Sequence, residues 1–207
     1  MLAQWLVEHV TDSKLEDLTK EMIFEPLQMK NTDYLWREEF KAHFCYGHST
    51  NQAKLPKDIE TDDAAAAGSL ETTIIDYTLF LQHVLKLYSE ESAITKNLFK
   101  PSIRIHSKAQ FGPLANELSN ENDGIELSYG LGWAVFKTPF GLGAGRGGHS
   151  EGFQHYSVIF PDQGIGVVLM SNSDNAESIY KELLEITIAD TYSPWQWKGY
   201  IPYNNRE

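Results

Sequence analysis

The chain has 207 residues, of which 42% are hydrophobic and 22% are charged, and its formal net charge is -12. This length and composition are typical of one globular domain with a substantial core. The excess of acidic over basic residues argues against binding nucleic acid or anionic lipid through a basic surface, because phosphate contacts need clustered Lys and Arg. A single cysteine, Cys45, excludes an internal disulfide and a cysteine-built zinc site, and no window approaches the roughly 18 consecutive apolar residues of a membrane span.

Residues 1–34 predict a pair of helices. Leu2, Leu6 and Val10 recur at helical spacing from the first turn, and a second apolar stripe runs up to Pro26. The start of the chain has neither the basic region nor the small-residue cleavage site of a signal peptide. We therefore expect the chain to begin inside a structured element, with a further part upstream.

Residues 35–126 predict a loop and helical region. The stretch 35–63 is polar and aperiodic, and loops of that length often border a binding site. A helix follows, with Thr73 as the expected N-cap and Asp76 three residues on. The apolar face of that helix comprises Tyr77, Phe80, Leu81, Val84 and Tyr88. Residues 101–126 are again irregular.

Residues 127–190 predict strands followed by a C-terminal helix. Three segments, SYGLGWAVFK at 128–137, FQHYSVIF at 153–160 and IGVVLMSN at 165–172, predict strands of an antiparallel meander. The buried stripe of the helix is expected at Ala176, Ile179, Tyr180, Leu183, Leu184 and Thr187. An aromatic tail, residues 191–207, completes the chain.

Ser150 lies in the stretch GHSEG, residues 148–152, which fits the nucleophile-elbow pattern of α/β-hydrolases. That elbow needs a turn from strand to helix, with an acid and then a histidine later in the chain. Here a strand follows, and the only downstream histidine is His155. A local triad with His149 and Glu151 also fails, because successive strand side chains point to opposite faces. The elbow is therefore rejected.

The C-terminal helix carries two signatures of penicillin-recognising serine enzymes, S-D-N at residues 173–175 and S-x-x-K from Ser178 to Lys181. Their order along the chain is reversed. Helical spacing also places Ser178 and Lys181 in water, where a lysine keeps a pKa of about 10 and cannot act as a base. We predict instead that Asp174 is a helix N-cap and that Glu177 completes a capping box.

His149 and His155 suggest a pair of metal ligands. On one continuous strand they would share a face but lie roughly 20 Å apart, which is too far for shared ligation. We therefore expect neither a metal site nor a cofactor. The usual alternative for a strand histidine is a hydrogen-bonded structural residue.

Four segments together resemble the second half of the serine β-lactamase and penicillin-binding-protein-like family, in its class C and esterase-like branch. They are IFEPLQMKNTDY, AAAAGSLETTIIDYTLFLQHVL, YGLGWAV and GGHSEGFQHYSVIFPDQGIGVVLMSNS. The likeness covers roughly residues 1–173 and extends into the C-terminal helix. It implies an α+β fold in which helices flank an antiparallel sheet. The chain, residues 1–207, would be the C-terminal portion of one such domain, incomplete at its N-terminal side.

By this resemblance His149 occupies the first position of the family's third motif, Lys-Thr-Gly or His-x-Gly. The motif supplies a cationic or hydrogen-bonding group beside the catalytic serine, and its strand helps to bind the acyl group. Ser150, Glu151 and Gly152 would then contact the substrate. Two departures from the family stand out: Glu151 replaces a small residue, and Gln28 replaces a glycine.

The resemblance implies a periplasmic or secreted hydrolase that acylates its serine with a small-molecule or peptide ester, amide or lactam and then hydrolyses the acyl-enzyme. The family's Ser-x-x-Lys and Tyr-x-Asn motifs are absent from their expected places. We therefore expect this chain to be inactive alone. Because the family's N-terminal strands are missing as well, we expect residues 164–172 to form an open sheet edge and an upstream segment to pair with the chain. The alternative is a non-catalytic stand-alone binding module or a degenerate homologue.

Overall fold

The computed structural model describes residues 2–57 and 63–205. Its helices are α1 (Leu2–Thr11), α2 (Leu15–Thr19), α3 (Ile74–Ser89), α4 (Ala93–Leu98) and α5 (Tyr180–Ile188), together with a π-helical turn (Lys20–Phe24) after α2. Short 3₁₀ helices lie at Glu38–Ala42, Pro113–Asn116, Pro161–Gln163, Ala176–Ile179 and Tyr203–Asn205. None of the described helices is both long and apolar enough to cross a membrane.

Within the described residues, six strands form one antiparallel sheet in chain order. They are β1 (Ile103–Arg104), β2 (Ser128–Tyr129), β3 (Ala134–Thr138), β4 (Gly141–Ser150), β5 (Phe153–Phe160) and β6 (Ile165–Ser171). The predicted meander is confirmed, and so is the α+β class, because helices pack against both faces of the sheet.

Each face of the sheet has its own apolar core. The first core lies under α5 and the aromatic tail, and it includes Phe136, Tyr156, Val158, Tyr180, Leu184, Trp195 and Trp197. The second lies under α3, and it includes Leu81, Val84, Phe99, Trp133, Val135, Ala144 and Ile159. The tail is thus a core element, since Trp197 is only 1% exposed and aromatic side chains bury large areas.

Helix α3 begins as predicted. Thr73 Oγ1 accepts a hydrogen bond from the Asp76 backbone N–H at 3.2 Å. The buried Asp76 carboxylate then accepts from Asn31 N at 2.7 Å and from Thr32 Oγ1 at 2.9 Å. The cap therefore also ties the segment after the first helical pair to α3.

The single strand predicted over residues 128–137 is wrong, because this stretch is a hairpin. β2 pairs with β3, with Tyr129 opposite Ala134. Gly132 has φ +82°, and a Cβ at Gly130 would lie 2.3 Å from the Leu98 carbonyl oxygen. The alternation of large and small residues continues through the turn of the hairpin, so the sequence periodicity alone did not reveal the turn.

Two predicted apolar stripes differ from those observed. α1 is helical, but none of its residues is buried. Gln4 holds it in place, because its Nε2 donates to Ala64 O and its Oε1 accepts from Ala66 N. In the C-terminal helix Tyr180 and Leu184 are buried, whereas Ile179 and Leu183 are exposed. The chain turns as a 3₁₀ helix over Ala176–Ile179, which shifts the buried face from that of a continuous α-helix.

We predict that Gln28→Gly stabilises the protein. Gln28 has φ +58°, and this left-handed conformation costs a residue with a Cβ about 1–2 kcal/mol. Glycine loses about 0.5–1 kcal/mol more chain entropy on folding, so the expected gain in unfolding free energy is about 0.5–1 kcal/mol. Urea denaturation measures it. The control Gln28→Ala keeps the Cβ and should show no gain, and a glycine variant no more stable than this control would contradict the prediction.

We also predict that the isolated chain self-associates through β6. Among the described residues β6 pairs only with β5, so its other edge is open. The strand sequence IGVVLMS has no charge or proline to protect that edge. Light scattering should show concentration-dependent association; a monomer that unfolds cooperatively on heating would argue against an open edge.

Candidate functional site

The end of β4 presents an unpaired backbone edge. The pairing of β3 with β4 stops where Ala134 lies opposite Gly145, whereas β5 pairs with β4 up to Ser150. Residues 146–150 therefore have a partner on one side only within the described part of the chain. Their outward backbone groups are available to an extended ligand.

Ser150 ends β4, and the turn Glu151-Gly152 leads directly into β5, where Phe153 pairs with Ser150. The strand-to-helix turn of a nucleophile elbow is thus not found at Ser150. His149 and Ser150 project to opposite faces of the sheet because they are successive strand residues.

The predicted spacing of His149 and His155 along one strand is wrong. They lie on adjacent strands, and His155 pairs with Gly148, because the chain reverses at residues 151–152. His155 Nδ1 accepts from Ser171 N at 3.3 Å, and burial lowers the pKa of this histidine. It is a hydrogen-bonded structural residue. No group of three or more metal-binding side chains is found in the described residues.

His149 forms an ion pair with Glu177, from the 3₁₀ helix before α5. Its Nε2 lies 3.2 Å from Glu177 Oε2, and the two side chains are 54% and 19% exposed. The Glu177 carboxylate raises the pKa of His149 as a hydrogen-bond acceptor and through its charge, and the charge of Asp174 adds to the effect. Burial and the charge of Lys198 oppose it. The pair therefore stabilises the fold below the ordinary histidine pKa and loses this contribution as the pH rises through the raised value.

The predicted capping box at Asp174 and Glu177 is wrong. Asp174 Oδ1 accepts from the backbone N–H of Gly152 at 2.8 Å, and the N–H of Glu177 donates to Gln154 Oε1 at 2.6 Å. The 3₁₀ helix that follows has Asn175 at its N-cap, without a side-chain cap bond. Both acidic residues thus serve the β4–β5 hairpin.

Ser178 is buried, contrary to the prediction that it faces water. It is 1% exposed, its Oγ donates to Asn175 O at 2.5 Å, and its carbonyl accepts from Tyr200 Oη at 2.8 Å. The 3₁₀ turn brings it inward. A hydrogen bond with Glu185 raises the pKa of Lys181, so this lysine is less suited to act as a base.

A covering loop, residues 46–55, lies over the hairpin tip, residues 150–153. His48 N donates to Gly152 O at 3.3 Å, and Asp174 N donates to His48 O at 2.9 Å. Gly152 has φ +78°, and a Cβ there would lie 2.7 Å from Gly47 Cα. The tip therefore requires glycine, and both backbone polar groups of Gly152 are bonded within the chain.

Lys198, from the aromatic tail, brings a second basic side chain to the site. Its Nζ lies 4.5 Å from the centre of the Tyr156 ring. A Cβ on Gly147 of β4 would be 3.8 Å from this Nζ. Burial lowers the pKa of Lys198 to about 8, although Glu177 opposes the shift. Like Glu177 and His48, Lys198 joins the site through contacts between distant segments, and no local sequence pattern marked any of the three as part of the site.

The chain matches the family model described as Beta-lactamase over residues 1–187. It belongs to the β-lactamase family. One similar solved structure is that of the octameric penicillin-binding protein homologue from Pyrococcus abyssi, with 20% identity and a TM-score of 0.64. The match covers 83% of this β-lactamase-family chain but 36% of that one, so the likeness shows the fold and the chain spans about a third of the related structure. A comparison with curated protein sequences finds no match.

We predict that Asp174→Ala destabilises this β-lactamase-family chain and loosens the hairpin tip. A hydrogen bond to a charged group contributes about 1.5–3 kcal/mol, and the variant removes the acceptor of the Gly152 N–H. Urea denaturation should show a loss of this size, with faster hydrogen exchange at the Gly152 amide. Asp174→Asn keeps an oxygen acceptor and should lose less than half as much. Unchanged exchange in the alanine variant would contradict the assignment.

Proposed function

We propose that this chain forms the third-motif side of a serine acyl-hydrolase site, with His149 as the cation beside the acyl substrate. The observation that carries the proposal is the position of His149 at the unpaired end of β4, held by a half-buried carboxylate that favours its charged form. Family membership supports the same reaction class.

The geometry suits an extended acyl substrate. The open edge at residues 146–150 can pair with the substrate backbone as an added strand, and a fixed cation stabilises the negative charge that develops on an acyl oxygen. Ser150 and Glu151 flank the substrate position on the exposed turn. Gly152 shapes the turn, because its own backbone groups are occupied.

Acyl transfer also needs a nucleophile and its base. The S-x-x-K of this chain pairs a buried Ser178 with a lysine of raised pKa. The tail residues Tyr203–Asn205 also spell Y-x-N, but they lie in an exposed 3₁₀ turn. Neither suits catalysis. We assign the nucleophile and base to an upstream segment that pairs with this chain, whose substrate is an ester, amide or lactam.

The purified chain should hydrolyse nitrocefin and p-nitrophenyl acetate no faster than Ser150→Ala or Ser178→Ala, because Ser150 is not on a nucleophile elbow and Ser178 is buried beside a lysine of raised pKa. Product release is followed spectrophotometrically. A burst that disappears in Ser150→Ala would restore the elbow, and one that disappears in Ser178→Ala would restore the C-terminal motif; either result overturns the proposal.

The complementary experiment co-expresses the chain with the polypeptide encoded upstream, where Ser-x-x-Lys and Tyr-x-Asn are expected. Hydrolysis should then appear, and His149→Ala should lower kcat/KM by about 100-fold, as loss of one oxyanion-stabilising group does. His106→Ala is the matched control, because His106 lies beside Asp123 near β1, away from the hairpin tip. The absence of such a reading frame, or equal rates in the two variants, would favour the stand-alone binding module.

A further inference from the structure

Glu177 is fixed by the same pair of strands that carries His149. Gln154 lies directly opposite His149 in the β4–β5 ladder, and its Oε1 accepts the backbone N–H of Glu177 at 2.6 Å. The Gln154 carbonyl also accepts from Tyr180 Oη at 2.7 Å. The distance between imidazole and carboxylate is therefore set by the sheet register.

The two ring nitrogens of His149 have different surroundings. Nε2 faces the Glu177 carboxylate at 3.2 Å, whereas Nδ1 has no hydrogen-bond partner among residues 2–57 and 63–205. An ionised carboxylate can only accept a hydrogen bond, so its position 3.2 Å from Nε2 favours a proton on that nitrogen. The hydrogen bond of one ring nitrogen thereby fixes the role of the other.

We infer that Glu177 is a positioning residue for His149, which holds the proton on Nε2 and leaves Nδ1 as the ring nitrogen available to the acyl substrate. The inference rests on the proposed function, in which His149 contacts that substrate. When His149 is charged, Nδ1 donates a hydrogen bond to a substrate oxygen; when it is neutral, Nδ1 accepts one.

The pairing shifts His149 toward the charge that a lysine would carry in the Lys-Thr-Gly form of the motif. An isolated histidine has a pKa of about 6.5 and is mostly neutral at pH 7. Glu177 and Asp174 act in the opposite direction from burial and Lys198, and the net effect raises the pKa of His149. From β5, His155 is itself held toward its neutral form by burial and by His149. The carboxylate thus shifts the imidazole toward its charged form.

Nuclear magnetic resonance titration of ¹⁵N-labelled imidazole rings tests this inference on the chain without substrate. In Glu177→Gln the pKa of His149 should fall, because the charge is lost, while the neutral ring keeps its Nε2 proton, since the amide oxygen still accepts. In Glu177→Ala the pKa should fall and the Nδ1-protonated tautomer should appear. Lys198→Met should raise the pKa of His149, because it removes an opposing charge.

Glu185→Gln is the matched control, because it removes one carboxylate from α5 that bonds with Lys181 and not with His149. It should leave the titration of His149 unchanged. An unchanged titration in Glu177→Gln, or an equal fall in Glu185→Gln, overturns the positioning role. Thermal unfolding confirms that each variant is folded, and Glu177→Gln carries the test if Glu177→Ala is not. The titration uses no substrate, so it tests the positioning role without measuring catalysis. A hydrolysis rate that does not depend on His149 would refute the proposed function in a separate experiment.

Discussion

The register between β4 and β5 is the constraint on which the site depends. His149 lies opposite Gln154 in this ladder, and Gln154 in turn holds the backbone of Glu177. A slip of one residue would move every side chain of a strand to the other face of the sheet, which would separate His149 from its carboxylate. The burial of Tyr156 and Val158 from β5 prevents that slip. Core packing therefore also sets the electrostatics of the site.

The hairpin tip is held by backbone contacts that only small residues allow. Gly152 and Gly47 approach so closely that a side chain on either would collide with the other segment, and Asp174 and His48 bond to the N–H and carbonyl of Gly152. The covering loop, the tip and the segment before α5 thus form one unit. The covering loop therefore contacts the turn that joins β4 to β5 directly.

The features predicted correctly from the sequence are those marked by a local residue pattern or by the likeness to the family. Strand alternation identified the meander, a capping pattern identified the start of α3, and the departure from glycine at Gln28 coincides with a left-handed backbone. The roles of Asp174 and Ser178 were mispredicted because a 3₁₀ turn replaces the first turn of the expected helix. Capping rules consider only hydrogen bonds within one segment. They cannot predict that the Asp174 side chain instead accepts from the backbone N–H of Gly152 in a distant hairpin.

The aromatic tail packs in the core and also reaches the site. It lies beyond the family match, which ends at residue 187. The buried Asp190 carboxylate accepts from the N–H groups of Tyr192 and Ser193 at 2.9 and 3.0 Å and so turns the chain back over the sheet. That turn buries Trp195 and Trp197 and sets Lys198 above the Tyr156 ring. The ammonium group is partly desolvated there and acts on the His149–Glu177 pair. Packing of the tail determines where the Lys198 charge lies. The pKa of His149 at the end of β4 therefore depends on how the tail packs against the sheet.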